Sequence, residues 1–340
     1  LFIERDLEDL VRKQFDRLQQ LDPDAYKLLC RMGCYRYQDV PTVPIEGLFC
    51  LLWDVPENRH RRVVRALQDR SLVDFDNGEF WLHSVVREEA IKRMVSDEDW
   101  KTANRLVAEF WTGSVETVED VEDAVKAFEA FHHYVEIEEF EQASIVILRR
   151  RRNQWYGAKG GELLSSSFYR LGLLQQMYSA IHIILDKIKM KCYLIELYST
   201  LGELYGITGN IRKAIDCNEK VEEIINGVFA LNQDSKQTQN YLKELKIASL
   251  FDRGICKIAL WEIWEAAQII YQAEILAKGV RNLEYQVDSW YCLAFLNSCI
   301  SSCQVVSTEL ASNEEIQAHI KLPHSIKKFE IKALEYARKA

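Results

Sequence analysis

The chain has 340 residues, 48% of them hydrophobic and 28% charged, a composition that supports a packed core and excludes an intrinsically disordered protein. Five prolines and fourteen glycines are few for a loop-rich β-sandwich and favour a mainly helical architecture. With 43 basic and 52 acidic residues the net charge is −9, which disfavours a nucleic-acid partner unless basic residues are locally concentrated.

The compartment is predicted from the cysteines and from the first residues. Nine cysteines without the spacing of a small disulfide scaffold indicate free thiols in a reducing cytoplasm. No apolar run is long enough for a membrane span, and no signal peptide is evident, so no membrane contact is expected. The sequence begins without methionine inside a predicted helix, and we expect it to be part of a longer parent protein.

Four helices are predicted before any strand. Apolar residues at three- and four-residue spacing predict the first helix over residues 6–20. Asp22 and Pro23 predict the start of the second, because aspartate caps a helix and proline suits its first turn. A short apolar helix over residues 45–53 and an arginine-rich helix over residues 59–69 complete the set.

A β-hairpin follows these helices. Asn77 and Gly78 lie between β-prone runs at 71–75 and 79–82, the pattern of a two-stranded hairpin with a tight turn. Another helix is predicted from about residue 84. Helices followed by a short hairpin are typical of a winged-helix domain, which we assign to residues 1–95.

A connecting helix is predicted over residues 96–114. Ser96 and Asp99 have the spacing of a capping box, in which each side chain bonds a free backbone amide at the start of a helix. Gly113 is placed to end this helix. No strand is predicted downstream of it.

The remaining residues, 115–340, show a repeat. Ala143, Ala180 and Ala214 are 37 and 34 residues apart, close to the tetratricopeptide period. The segment before and including Ala214 resembles a tetratricopeptide repeat in its aromatic, Leu-Gly, Tyr, Gly and Ala positions, which are Tyr198, Leu201, Gly202, Tyr205, Gly209 and Ala214. We predict an α-α superhelix of five helical hairpins, whose small residues let paired helices approach closely.

The last two predicted hairpins are less regular. The fourth contains Gly254 and Ala266, with Ala273 as a later small residue. The fifth would pair residues 290–297 with residues 333–340, across a polar insertion near 307–323.

Catalytic and cofactor motifs are missing from the sequence. It contains no phosphate-binding loop, nucleophile elbow or H-E-x-x-H motif, so we predict no catalytic residue, no enzyme activity and no cofactor in this chain. His132 and Glu136 lie four residues apart, with His133 beside His132, a spacing that metal ligands use on one helix face. Because no further ligands accompany them, we predict repeat-helix side chains and no metal.

Two basic segments have an alternative interpretation. A winged helix that binds DNA places its recognition helix just before the wing, where this chain has Arg59, Arg61, Arg62 and Arg65. The acidic wing opposes this use, and a solvated helix face is the simpler explanation. Residues 149–152 are all arginine; we predict a helix C-terminus, where positive charge suits the dipole, and pairing with the acidic residues of 116–141.

The end of the predicted wing resembles a known signalling family. Leu82-His83-Ser84 is similar to the Met-His-Asp element of the winged-helix domain in NB-ARC and related STAND signalling NTPases, although only the histidine is shared. The segment that precedes the wing, Leu67 followed after three residues by Ser71-Leu72-Val73, is also similar to the corresponding segment of that family. The resemblance implies that His83 contacts the β-phosphate of ADP in a parent carrying ATP or ADP. Within this chain alone, a partly buried histidine that caps the next helix is the simpler role.

Together these features predict the sensor portion of a cytoplasmic STAND-type ATPase, with its ATPase domain on the N-terminal side. The repeats would bind a protein or peptide ligand in their groove, and the winged helix would couple binding to the nucleotide state. The predicted ligand contacts are His132, Tyr169, Ser199 and Glu203. The alternative is a DNA-binding transcription regulator with a repeat-based interaction domain.

Overall fold

The computed structural model describes residues 2–94, 98–155, 160–230, 236–280 and 283–302, together with Ala337. In this part of the chain the protein has fifteen helices and five strands of two or three residues, which confirms the prediction of a mainly helical fold. None of the described helices is both long and apolar enough to cross a membrane. Packing divides the chain into two compact units, Leu1–Lys187 and Ile188–Ala340. The predicted boundaries near residues 95 and 115 stay predictions.

The first unit begins with five helices and three short strands. In chain order these elements are α1 (Phe2–Leu21), α2 (Pro23–Met32), β1 (Val43–Pro44), α3 (Ile45–Phe49), α4 (Glu57–Gln68), β2 (Asp74–Asp76), β3 (Glu79–Trp81) and α5 (Ser84–Met94). Helix α2 packs against α1, α4 and α5. As predicted, Pro23 begins α2 and the Asp22 side chain caps it, accepting a hydrogen bond from the amide of Ala25 at 3.3 Å.

Helix α3 is shorter than predicted. It ends at Phe49, although apolar residues continue to Trp53. The buried Arg31 side chain donates a hydrogen bond from Nη1 to the carbonyl of Leu51 at 2.9 Å, so this carbonyl accepts from a distant side chain. A tertiary contact therefore accompanies the early end of the helix.

The predicted hairpin is confirmed. Strands β2 and β3 pair antiparallel with Phe75 opposite Phe80. Asn77 and Gly78 have φ values of 49° and 92°, the two left-handed residues that a tight hairpin turn requires. Strand β1 pairs with the other edge of β3. A two-residue strand that ends in Pro44 has no periodicity from which to predict it.

A connecting helix and two helical hairpins complete the first unit. They comprise α6 (Glu98–Ser114), α7 (Val121–Glu136), α8 (Phe140–Leu148), β4 (Arg150–Arg151), β5 (Glu162–Leu163), α9 (Leu164–Arg170) and α10 (Leu174–Leu185). Ser96, the predicted cap of α6, lies outside the described residues. Helix α6 ends at Ser114, the end of the predicted range, and Gly113 lies within its last turn.

The arginine run at 149–152 contradicts the prediction of a helix C-terminus. Helix α8 ends at Leu148 with Arg149 as its C-cap, and Arg150 and Arg151 form β4, which pairs antiparallel with β5. Arg151 is only 2% exposed, and its Nη1 donates to the carbonyl of Val115. The prediction of no strand beyond residue 114 is therefore wrong. Pairing with the acidic region is confirmed in part, because Arg152 Nη1 lies 3.9 Å from a Glu116 carboxylate oxygen.

The second unit continues with helices. They are α11 (Lys191–Ile207), α12 (Ile211–Ala230), α13 (Lys236–Ala259), α14 (Ile263–Lys278) and α15 (Leu283–Ser302). Helices α11 and α12 form one hairpin, and α13 and α14 form the next. Helix α15 is the first helix of the predicted fifth hairpin. The polar insertion at 307–323, Ala333 and Ala340 lie outside the described residues.

One turn recurs in all four described hairpins. Glu138, Gly172, Gly209 and Trp261 have φ values of 60°, 80°, 77° and 60°, and each precedes the second helix by two residues. In each case the amide of the following residue bonds the carbonyl five residues before it, at 2.8–3.0 Å. These bonds define a Schellman motif at the end of each first helix. The four hairpins are therefore structural repeats.

The turns also correct the predicted alignment of the repeats. They lie 34, 37 and 52 residues apart. Ala143, Ala214 and Ala266 each lie five residues after the left-handed residue of their own turn. In the second hairpin this position is occupied by Met177, not by Ala180 as predicted. Four of the five predicted hairpins are thus observed, and the register of the second was wrong by three residues.

Close helix packing by small residues is confirmed where the second unit has glycine. A Cβ atom on Gly254 of α13 would lie 2.5 Å from Cγ1 of Ile270 on α14. A Cβ atom on Gly202 of α11 would lie 3.3 Å from Nδ2 of Asn218 on α12. Both glycines occur seven residues before the left-handed residue of their own turn, so they occupy equivalent positions.

Candidate functional site

The candidate site is a cavity of about 320 Å³ beside the first helix of the first hairpin. Its wall comes from α7, from α10 and from Asp39 on the segment between α2 and β1. All of these lie in the first compact unit. The lining residues are Asp39, Val125, Phe128, Glu129, Phe131, His132, Gln175, Gln176, Ser179, Ala180 and Ile183. We call this cavity the His132 pocket.

Helix α7 places its functional side chains by simple periodicity. Phe128 and Glu129 lie three and four residues after Val125, and His132 lies four and three residues after them, so all four share one face of the helix. The Asp120 side chain caps α7 by accepting a hydrogen bond from the amide of Asp123 at 3.0 Å. The apolar members supply the wall, and Glu129 and His132 bring polar groups into it.

Glu129 is a buried carboxylate that pairs with Arg36. It is 3% exposed, and its Oε1 accepts a hydrogen bond from Nη1 of Arg36 at 2.9 Å. Burial raises the pKa of Glu129 to about 7; the attraction of Arg36 opposes this effect, and Asp39 adds to it. The site therefore contains an acidic group whose charge the protein compensates only in part.

His132 has no hydrogen-bond partner in the described part of the chain, and its ring lies edge-on to two phenylalanines. The ring centroids are 5.0 Å from Phe128 and 5.5 Å from Phe131. Burial lowers the pKa of His132 to about 4, so the imidazole is neutral at physiological pH. One potential ligand atom from each of Asp39, Glu129 and His132 lies within 4.8 Å of the others.

His133 and Glu136, which the sequence groups with His132, do not join this site. His133 is buried, and its Nδ1 lies 2.9 Å from Oδ1 of Asn104 on α6. Burial lowers the pKa of His133 to about 3. Glu136 is exposed at the end of α7. The carboxylate near His132 is instead Glu129, one turn earlier on the same helix.

The other predicted ligand contacts lie elsewhere. Tyr169 is 45% exposed on α9 and does not line the His132 pocket. Ser199 and Glu203 lie on α11, in the second compact unit. Glu203 and His132 nevertheless share one position, because each lies six residues before the left-handed residue of its own hairpin. These partner assignments stay predictions.

His83 is exposed immediately before α5. Its Nδ1 accepts a hydrogen bond from the amide of Val85 at 3.4 Å, which is a weak helix-capping contact. This contact is consistent with the prediction that His83 caps the next helix. The side chain is exposed, however, and not partly buried as predicted. Contact with a nucleotide phosphate stays a prediction.

Two of the four candidate DNA-binding arginines are paired within the protein. Arg59 forms an ion pair with Asp24, and Arg62 lies 3.6 Å from the Asp22 carboxylate. Arg61 and Arg65 are exposed, with no ion pair to another described residue. Strand β2, which follows α4 in the chain, carries two exposed aspartates, Asp74 and Asp76.

Arg36 and Asp39 are two of the site residues that sequence analysis missed. They belong to the segment between α2 and β1, which has no motif or periodicity. Glu129 was missed as well, because sequence analysis paired His132 with Glu136, although residues three apart, such as Glu129 and His132, also share a helix face. The approach of Asp39 to that face is a tertiary contact and has no counterpart in local sequence.

Comparisons with known proteins give limited information. No protein family and no curated protein matches the chain. A distant likeness exists to the crystal structure of a Signal Transduction ATPase with Numerous Domains (STAND) protein with a tetratricopeptide repeat sensor from Pyrococcus horikoshii, with 15% identity and a TM-score of 0.38. It covers 97% of this chain and 55% of that chain, so this chain spans about half its length. The TM-score is too low to establish a common fold, and the likeness carries no argument about function.

Proposed function

We propose that this chain is the sensor and switch portion of a cytoplasmic STAND-type signalling ATPase, whose helical hairpins bind a protein or peptide ligand. The proposal rests first on the turn that recurs at Glu138, Gly172, Gly209 and Trp261. Repeated hairpins of this kind stack into arrays whose surfaces bind other proteins. The chain itself carries no catalytic role in this proposal.

The His132 pocket is the proposed ligand contact of the first hairpin. Its apolar wall accommodates a side chain of a peptide, while Glu129, Gln175 and Gln176 supply polar groups that orient a ligand. Equivalent positions on later hairpins, such as Glu203, extend the predicted set.

The pocket also suggests how ligand binding reaches the N-terminal segment. Arg36 and Asp39 precede the predicted wing, whereas Glu129 belongs to the first hairpin, and the Arg36–Glu129 ion pair joins them. Tyr35 lies beside the same junction, with its ring centroid 6.0 Å from that of His133. A ligand in the pocket contacts both segments, so its binding favours one arrangement of the junction over another.

The switch part of the proposal rests on the resemblance around His83. We infer that residues 1–95 are a winged-helix domain and that His83 donates a hydrogen bond to a nucleotide phosphate in the ADP-bound parent. The exposed position of His83 before α5 is compatible with a partner outside this chain.

The test uses the complete parent protein, with release of a fluorescent ADP analogue measured with and without a cell extract that induces release. Deleting residues 115–340 should abolish the inducer response, and an unchanged response would contradict the sensor assignment. Ser179→Trp, which fills the pocket, should weaken the response. His182→Trp, at an exposed residue of the same helix that does not line the pocket, should leave it intact.

The nucleotide contact is tested separately by His83→Ala in the same parent. We expect faster ADP release without inducer and an undiminished inducer response. Unchanged ADP release would remove His83 from the switch and leave ligand sensing by the hairpins to be judged by the deletion.

A further inference from the structure

We propose that Asp39, Glu129 and His132 form a binding site for a divalent transition-metal ion. One potential ligand atom from each residue lies within 4.8 Å of the others. Glu129 and His132 come from α7, and Asp39 comes from the segment between α2 and β1. The inference does not depend on the proposed function, because it concerns what these side chains bind in the isolated chain.

The arrangement of the ligands on α7 is one that metalloproteins use. A Glu-x-x-His sequence places a carboxylate and an imidazole one turn apart on the same helix face, as in carboxylate-bridged metal centres of helical bundles. Glu129-Ala130-Phe131-His132 has this spacing. His132 makes no hydrogen bond to any other described residue, so its ring nitrogens are not occupied within that part of the protein. A metal ion would give this half-buried ring the polar partner that it lacks.

The mixture of ligands indicates the class of metal. Two carboxylates and one imidazole suit zinc, manganese, iron, cobalt or nickel, whereas calcium and magnesium prefer oxygen ligands alone. A tetrahedral ion with ligand bonds of about 2.1 Å holds its ligand atoms about 3.4 Å apart. The ligand atoms must therefore approach one another by up to about 1.4 Å, and Asp39 is exposed on a connecting segment that can supply this movement.

Arg36 has the position of an outer partner for two of the ligands. Its guanidinium lies 2.9 Å from Oε1 of Glu129 and 3.4 Å from Oδ2 of Asp39. A carboxylate has two oxygens, so each can bond Arg36 through one and a metal through the other. Hydrogen bonds of this kind commonly orient metal-binding carboxylates. The positive charge of Arg36 also repels a cation, so we expect moderate affinity.

The His132 pocket gives the ion access and leaves coordination positions open. Three protein ligands and a cavity of about 320 Å³ leave room for water or for a donor atom of a bound molecule, as in metal sites that keep an open position. A bound ion would also link the Asp39 segment to α7. Because such binding requires the folded site, the metal should stabilise the protein.

The experiment uses the complete 340-residue chain, freed of metal with EDTA and titrated with Co²⁺ and with Zn²⁺. We expect one equivalent of Co²⁺ to bind with visible d–d absorption but without a sulfur-to-cobalt charge-transfer band, and Zn²⁺ to displace it. Binding should also raise the thermal unfolding temperature. Failure to bind either ion, or binding with the charge-transfer band of thiolate ligands, would overturn the proposal.

Substitutions locate the ion. Glu129→Gln, Asp39→Asn and His132→Ala should each weaken Co²⁺ binding at least tenfold, since loss of an outer partner alone typically costs 10–100-fold. The matched control is Glu136→Gln on the same helix, which removes the other acidic neighbour of His132 and should leave affinity unchanged. Asp39→Asn alters an exposed side chain, so it keeps the test valid if the buried variants do not fold. Unchanged binding in Asp39→Asn, or loss of binding in Glu136→Gln, would refute the assignment.

Discussion

Gly254→Ala tests the close packing of the fourth hairpin. Gly254 lies on α13, and a Cβ atom there would lie 2.5 Å from Cγ1 and 3.1 Å from Cδ1 of Ile270 on α14. Ile270 is fully buried in a cluster formed by α13, α14 and α15. The alanine methyl therefore cannot be accommodated unless Ile270 or the helix moves.

The expected magnitude combines two opposing effects. Overpacking of a closed core costs about 1–3 kcal/mol, while glycine to alanine in a helix contributes about 1 kcal/mol of stability. We expect Gly254→Ala to lower the free energy of unfolding by about 1 kcal/mol. Gly227→Ala on α12 is the matched control, because no atom lies within 4 Å of its added Cβ. This control should gain about 1 kcal/mol, so the difference between the variants isolates the packing cost.

The measurement is urea unfolding followed by far-UV circular dichroism and by tryptophan fluorescence. Trp264 packs against the affected cluster and contributes to the local fluorescence change. The chain has two compact units. The circular dichroism and fluorescence curves should therefore be fitted separately before the free energies of unfolding of the variants are compared. Equal stability of Gly254→Ala and Gly227→Ala would refute the close approach of α13 and α14 at this position.

Three further predictions concern the turns, a buried ion pair and DNA. Glu138→Gly should raise the free energy of unfolding by about 0.5–1 kcal/mol, because glycine adopts positive φ without strain; urea unfolding measures it, and a loss of stability would contradict the equivalence with Gly209. The pKa of Asp54 is held well below its usual range by hydrogen bonds from the buried Arg31, so its stabilising contribution is present above about pH 4 and is lost as the pH falls. Asp54→Asn should therefore lower the free energy of unfolding by about 1–3 kcal/mol at pH 7. The free energy of unfolding of this variant should also fall less between about pH 5 and 2 than that of the unmodified chain. An equal fall for both in acid titrations would refute the linkage. Arg61→Glu combined with Arg65→Glu should not change duplex DNA mobility in a binding assay; a salt-dependent shift of the unmodified chain that this double variant abolishes would support the DNA-binding alternative.

Features set by neighbouring residues were predicted well. Asp22 and Pro23 begin α2, and Asn77-Gly78 forms the hairpin turn, because capping and positive φ depend on the residues themselves. The third hairpin was predictable for the same reason, since Gly209 marks its Schellman turn. The equivalent turn at Trp261 has no glycine, and its conformation was not visible in the sequence.

The register of the second hairpin and the course of the arginine run depended on packing. Met177, not Ala180, occupies the repeated position, and both residues are buried, so hydrophobicity alone did not distinguish them. Arg151 enters a strand because backbone carbonyls near the end of α6 accept its hydrogen bonds. A distant partner overrides the local preference of an arginine run for a helix end.

The candidate site divides along the same line. His132 was singled out from the sequence, but its carboxylate partner was taken as Glu136. Residue spacing on α7 allows either glutamate beside His132, and the fold brings Glu129 to the site. Arg36 and Asp39 approach that face only because the segment between α2 and β1 folds against the first hairpin. Sequence periodicity specifies which side chains share a helix face. The burial that perturbs Glu129, and the groups that compensate its charge, are decided by contacts between residues about ninety positions apart.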